Sequence, residues 1–343
     1  MSNRDVTVVV GACGPERRRL ARALARESSR VLIPASRLER ETDPIEAAAT
    51  AIRDAEPVSG VVVEFDETTA ITEVIGAFTS PHEVGSLTGV VCVIDALHLL
   101  DDLAVDDFVV TEVDADGTML DCTARALLTV TQMEFASVVI IVNWETVVTR
   151  ELSMIMAVVS HLSPLARLRL DGSPTSAAIE PAPYRREQQR AGWICVLNSD
   201  ADPHMTDPRV SAMRYEHLRP LHPGRLQAFL DRVEAGAYGR VLRSAGFCRF
   251  ATRTGRVLYW DHVGTTIEFR EGEPDDHHSE PDDGDLPAPG QELAFIGIDI
   301  DPTAIRLALD AVALSDAEFT AGPGAWAAYS DPFPRPAAAP RGD

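Results

Sequence analysis

The stretch Val6-Thr7-Val8-Val9-Val10-Gly11-Ala12-Cys13-Gly14-Pro15-Glu16-Arg17-Arg18-Arg19-Leu20 decides how the chain is read. Val6–Val10 carries β-branched side chains on both faces, which suits a strand buried on both sides of a parallel sheet. The run stops at Gly11, and the Ala-, Leu- and Arg-rich segment Arg17–Glu27 has helical spacing. Strand, turn and helix in that order open an α/β unit. Similar apolar runs return at Gly60–Val63, Gly89–Ile94 and Val138–Val142, and helical spacing recurs at Pro44–Ala55 and Asp121–Phe135. Buried strands alternating with helices predict a mostly parallel, doubly wound α/β sheet.

At 343 residues the chain is long enough for two domains. Asp171–Arg190 turns to Pro, Ser, Ala and Arg and reads as a connection. The reading places a first domain at 1–205, with the linker near 171–190 inside it, and a smaller α+β domain at 206–334. In the latter, Gly236–Phe250, Arg256–Phe269 and Glu292–Ile300 read as strands and Thr303–Leu314 as a helix, with an acidic loop at Glu271–Asp285. The Pro- and Ala-rich end, 335–343, is expected to be disordered.

Asp and Glu number 53 against 31 basic residues, a formal charge of −22, and every basic residue is arginine. Without a lysine, no mechanism that needs a lysine amine is open to the chain. The negative field opposes direct binding of nucleic acid. Five cysteines, never spaced C-x-x-C, supply neither a disulfide framework nor a zinc ribbon. No apolar run approaches the ~18 residues of a membrane helix, so a cytoplasmic location without membrane contact is expected.

A phosphate-binding loop needs strand, G-x-x-x-x-G-K-[ST], then helix, because backbone amides wrap phosphate while Lys and hydroxyl meet charge and Mg²⁺. The context around Gly11 and Gly14 is right, but Glu16 stands at the second glycine, Arg17 at the lysine and Arg18 at the hydroxyl. Two readings stay open. Either Arg17, Arg18 and Arg19 clamp a phosphate, or the segment is an ordinary solvated helix start.

Beyond the linker, Arg219-Pro220-Leu221-His222-Pro223-Gly224-Arg225-Leu226 is similar to the R-P-F-H-P-x-R-L of the CobW-like family of P-loop GTPases, many of which resemble zinc metallochaperones. Leu242–Phe247 with Trp260 and Gly264, Glu292–Asp299 with Leu309-Asp310, and Gly322–Trp326 with Asp331-Pro332-Phe333-Pro334 resemble further family segments, so the resemblance covers most of Arg219–Pro334. It implies a P-loop-NTPase-like first domain followed by a CobW C-terminal-like domain. It also implies GTP or another nucleotide, held weakly at Gly11, Gly14, Arg17, Arg18 and Asn143. The departures fall together in the first domain. The family's N-K-x-D becomes Asn143-Trp144-Glu145-Thr146, its E-S-T-G becomes Glu64-Phe65-Asp66-Glu67, and its C-x-C-C has no counterpart between Pro34 and Val63.

Weak zinc binding is assigned to His277 and His278, adjacent imidazoles among carboxylates in the acidic loop, against the alternative of a solvated hairpin loop. His222 reads as a structural cap, Trp260 as core, and Asp95 and Asp299 as strand-end caps. No catalytic residue is assigned. The resemblance implies a pseudo-GTPase adaptor of zinc homeostasis, degenerate in its nucleotide and zinc sites. It would act through a protein partner such as a ribosome-associated factor or a zinc-dependent protein, as Mrf-type factors do in ribosome hibernation. An active GTP-dependent zinc metallochaperone and a nucleotide-binding regulator without hydrolysis are the alternatives.

Overall fold

The computed structural model describes residues 5–55, 60–79, 85–113, 119–172, 184, 191–272 and 290–334. The chain divides into two compact units, Met1–Cys195 with Ala201–Asp207, and Val196–Asp200 with Pro208–Asp343.

The first unit runs β1 (Asp5–Val10), α1 (Gly14–Glu27), β2 (Val31–Ile33), α2 (Ala35–Leu38), α3 (Pro44–Asp54), β3 (Gly60–Glu64), α4 (Ile71–Phe78), β4 (Ser86–Asp95) and α5 (Leu99–Asp102). It continues through β5 (Phe108–Val113), β6 (Met119–Ala124), α6 (Arg125–Glu134), β7 (Val138–Val142), a 3-10 turn at Trp144–Thr146, α7 (Thr149–Leu162) and β8 (Arg167–Leu170). α8 (Gly192–Leu197) lies where the chain passes from one unit to the next. Six strands form one sheet in the order β2-β3-β1-β4-β7-β8, and every pairing in it is parallel. β3 and β7 are buried along their whole length, as the unbroken apolar runs demand. Leu20, Ala21, Leu24 and Ala25 of α1 pack on Val9, Val62, Val91 and Val93.

Two local readings change. The helix expected from Arg17 starts three residues earlier, at Gly14, because Pro15 occupies the first turn, where a missing N–H costs nothing. The segment read as a helix from Asp121 opens as β6, which pairs with β5 in a two-stranded antiparallel ribbon, and turns helical only at Arg125.

The second unit contains β9 (Val210–His217), α9 (Pro223–Glu234), β10 (Arg240–Cys248), β11 (Leu258–Val263), β12 (Thr266–Glu271), β13 (Gln291–Ile298), α10 (Pro302–Val312), α11 (Asp316–Ala321) and α12 (Pro323–Trp326). Its antiparallel sheet has the order β12-β11-β10-β13-β9. The single strand read over Arg256–Phe269 is the hairpin β11–β12, which turns at Gly264, where φ is +58°. Tyr215, Trp260, Leu293 and Phe295 of the sheet form one core with Leu226 and Phe229 of α9 and Ile305 and Leu309 of α10. Helix starts are satisfied locally. His222 caps α9 by accepting from the Arg225 amide, and Asp301 caps α10 by accepting from Thr303 and Ala304. Asp299 is not that cap; it sits just past β13 with φ +51°.

Candidate functional site

The carboxyl ends of β3, β1, β4 and β7 lie side by side, the edge of an open parallel sheet where ligands are usually held. Gly11 follows β1 directly, and its φ is +133°. A Cβ there would stand 2.0 Å from the Val93 carbonyl oxygen of β4, so only glycine fits. Only Gly11, Ala12 and Cys13 separate β1 from α1. Within that short turn the Gly14 amide donates to the Ala12 carbonyl at 3.0 Å, and the Arg17 amide to Cys13 at 2.9 Å.

Arg17 is 1% exposed. Its Nη1 donates to the Gly11 carbonyl at 2.5 Å, its Nε to Glu64 Oε1 at 3.3 Å, and Nη1 reaches Glu67 Oε2 at 3.3 Å. A buried guanidinium demands opposite charge, and Glu64, 2% exposed at the end of β3, supplies it. Glu64 also accepts from the Ala35 amide at 3.4 Å. Glu67 extends the network to Arg125, which holds both carboxylate oxygens of Asp107. From α6, the buried Gln132 fixes the 66–69 turn by donating to the Thr69 carbonyl at 2.9 Å. Asp66 Oδ1 organises that same turn by accepting from the Thr68 amide and the Thr68 and Thr69 hydroxyls.

The remaining expected residues are distributed around this centre. Arg18 is exposed and has no ion-pair partner among the described residues, and its Nη2 would lie 3.9 Å from a Cβ built on Gly14. Arg19 pairs with Asp171 at 2.5 Å. Asn143, left-handed with φ +57°, is two strands from β1 and donates to Asp95 Oδ2 at 2.7 Å. Asp95 in turn caps its own turn by accepting from the Leu97 amide at 2.8 Å. Gly11, Gly14 and Arg17 thus share one turn, Arg18 borders it, and Asn143 belongs to a separate pair. His277 and His278 lie outside the described residues.

These groups do not fit a cradled triphosphate with its Mg²⁺. Pro15 has no amide to offer and the Gly14 and Arg17 amides are engaged by Ala12 and Cys13, the cation at the lysine position is neutralised from within the protein, and Arg18 offers no oxygen to a metal. A cavity of about 410 Å³ in the first unit is lined by Arg37, Leu38, Glu41, Asp43, Glu46 and neighbours, and by none of the expected nucleotide residues. Zinc meets a similar obstacle. Among the described residues no three His, Cys, Asp or Glu side chains group as metal ligands. The Cys13 thiol is pushed up to about 12, first by burial and then by Glu16 and Asp95, which keeps it protonated.

Sequence reasoning missed the partners of Arg17. Glu64 and Glu67 were read as remnants of a family segment, and no spacing rule links positions 47 and 50 residues away. The available signal was chemical: a buried arginine in the first turn of the helix that follows a buried strand has to find carboxylates, and Glu64 closes the next buried strand.

Residues 210–313 match the family described as the cobalamin synthesis protein cobW C-terminal domain. Over those residues the second unit is similar to a CobW C-terminal domain. That assignment accounts for the retained Arg219–Leu226 segment, whose His222 caps α9 and whose Arg225 forks onto both Glu318 oxygens at 2.8 and 2.9 Å. Glu318 is held down to about 2, chiefly by Arg225. In the same unit, beyond the matched residues, Asp331 to Pro334 folds back on Arg253. Among solved structures, the chain is similar to a Zn(II)-bound YjiA GTPase from E. coli at 12% identity, covering 92% of this chain and 100% of that one, with a TM-score of 0.37. A triple mutant of that GTPase gives the same figures.

Proposed function

We propose that the chain is a noncatalytic, pseudo-GTPase adaptor of zinc homeostasis that acts through protein contacts. One observation carries this reading: Arg17, in the place where a phosphate loop keeps its lysine, is buried and spent on Glu64, Glu67 and the Gly11 carbonyl. The cation that would meet a terminal phosphate is already neutralised, so an incoming nucleotide would have to break a buried ion pair first. The zinc side rests on the likeness of residues 210–313 to a CobW C-terminal domain and on the resemblance of most of Arg219–Pro334 to a family many of whose members resemble zinc metallochaperones. The partner that best suits a chain of charge −22 is basic, such as a ribosome-associated factor under zinc limitation.

A reading with nucleotide bound but not hydrolysed has one observation in its favour: Arg18, beside Gly14, has no ion-pair partner among the described residues. Two measurements on the full chain separate the readings: binding of a fluorescent GTP analogue with and without Mg²⁺, and phosphate release under multiple turnover. The adaptor reading expects neither. Saturable binding that Arg18→Ala abolishes, without phosphate release, would establish the regulator instead. Mg²⁺-dependent turnover lost in Gly14→Asp would establish a working GTPase.

A further inference from the structure

We infer that β9, an edge strand of the second unit's sheet, is a self-association edge, and that its occupant is β9 of a second copy of this chain, paired antiparallel. β9 stands last in the strand order and, among the described strands, pairs only with β13, in unbroken register from Val210 opposite Ile298 to His217 opposite Gln291. The Asp299 amide donates to the Arg209 carbonyl, which sets the alternation along the ladder. Ser211, Met213, Tyr215 and His217 therefore bond to β13, and the N–H and C=O groups of Ala212, Arg214 and Glu216 point outward. Among the described residues those outward amides donate to nothing. The Arg214 carbonyl accepts from Arg306 Nη2 at 3.0 Å, and its second lone pair is left for another donor. Such a row is a template for a further strand.

The side chains along this edge select the occupant. Arg214 and Glu216 lie on the face of the sheet opposite to Tyr215, whose side chain stays in its own core. Glu216 is directly opposite Glu292 of β13, and one cation serves both carboxylates: Arg214 Nη2 pairs with Glu216 and reaches Glu292 Oε1 at 2.6 Å. Glu216 is still 52% exposed. An acidic strand laid along β9 would add a further carboxylate to this pair, and a uniformly basic one would set a cation against Arg214.

β9 is complementary to itself, because charges of opposite sign stand two residues apart on one face. An antiparallel pairing with its two-fold axis at Tyr215 sets Arg214 opposite Glu216 of the second copy, and Glu216 opposite Arg214 of that copy. Both positions have outward backbone groups, so the same register makes the hydrogen bonds and the ion pairs. Carried one pair further, it sets Leu218, 69% exposed, against Ala212 of the second copy. The two five-stranded sheets then join into one. Each chain carries −22, but at physiological salt charges farther apart than about 8 Å are largely screened, so the pairs at the edge govern the contact. The inference goes beyond the proposed function and does not depend on it, since the edge would serve whether or not nucleotide binds.

The test is sedimentation equilibrium of the full chain from low to high micromolar concentration, with hydrogen exchange read by mass spectrometry at both ends of the range. A monomer–dimer equilibrium is expected, and peptides covering 210–218 should exchange more slowly at the high concentration. Arg214→Glu and Glu216→Arg should each weaken self-association by roughly tenfold or more, since two attractive pairs become two repulsive ones. An equimolar mixture of the two variants should form a heterodimer, because each then meets its opposite charge at both positions. A chain that stays monomeric, protection that appears at β12 or in the first unit instead, single variants that dimerise like the wild type, or folded variants that fail to associate when mixed would each overturn the inference. If either variant does not fold, the wild-type exchange map decides the matter.

Discussion

Arg17 Nε lies 3.3 Å from Glu64 Oε1, with both side chains all but excluded from water. The pair joins the first turn of α1 to the end of β3 across 47 residues of sequence. A buried ion pair adds little net stability over an apolar pair of the same volume, but removing one partner strands a charge.

Arg17→Met should therefore destabilise the first unit by about 3–5 kcal/mol, and Glu64→Leu by a similar amount. The double variant should recover most of the loss. Urea midpoints of the two single variants and the double variant check this. Simple additivity of the single losses would mean that the two groups are not coupled.

At the turn itself, Gly11→Ala should be severely destabilising, since its Cβ would press into the Val93 carbonyl at a φ that alanine avoids. Gly14→Ala should be tolerated. Its Cβ would meet nothing closer than the Arg17 guanidinium at 3.8 Å, and alanine suits a helix better by up to about 1 kcal/mol. Thermal midpoints of the two variants check this.

In the second unit, His262 is pushed down to about 4, first by burial and then by Arg243. Trp260 Nε1 donates to Ser244 Oγ at 2.8 Å, and Ser244 Oγ lies 3.1 Å from His262 Nδ1, an arrangement that suits a neutral imidazole. The folded pKa lies below the unfolded value of about 6.5, so the unfolded chain binds more protons between pH 6.5 and 4. Stability from this group is complete above about pH 6.5 and is lost as the pH falls to about 4. Relative to His262→Gln, the wild-type chain should lose about 3 kcal/mol more over that window. Parallel pH–stability curves for the two proteins would refute the assignment.

Arg253 is buried and donates to both carboxylate oxygens of Asp331 and to the carbonyls of Phe333 and Pro334. Phe333 packs against Phe250 and Phe269 with ring centroids at 5.3 and 4.9 Å. Burial would raise the Asp331 carboxyl, but the bonds from Arg253, Thr252 and the Phe333 amide hold it below its ordinary value. Lysine has no planar fork, so Arg253→Lys should lower the melting temperature by a few degrees and speed proteolysis between Tyr329 and Pro334. Unchanged cleavage would show that the segment is held by Phe333 alone.

The sequence by itself determined the parallel sheet, because β-branched runs such as Val6–Val10 and Val138–Val142 can be dry on both faces only in that architecture. It also made the second unit legible through its motif resemblance, with His222 rightly read as the cap of α9 and Trp260 as core, whereas the fork of Arg225 onto Glu318 came only from the structure. It missed β6, because an apolar run that feeds straight into a helix has no period of its own to mark the change. Only the tertiary structure decided the fate of Arg17. Whether an arginine after a strand faces a ligand or the core depends on which carboxylates the sheet order brings beside it. The placement of β3 next to β1 puts Glu64 there.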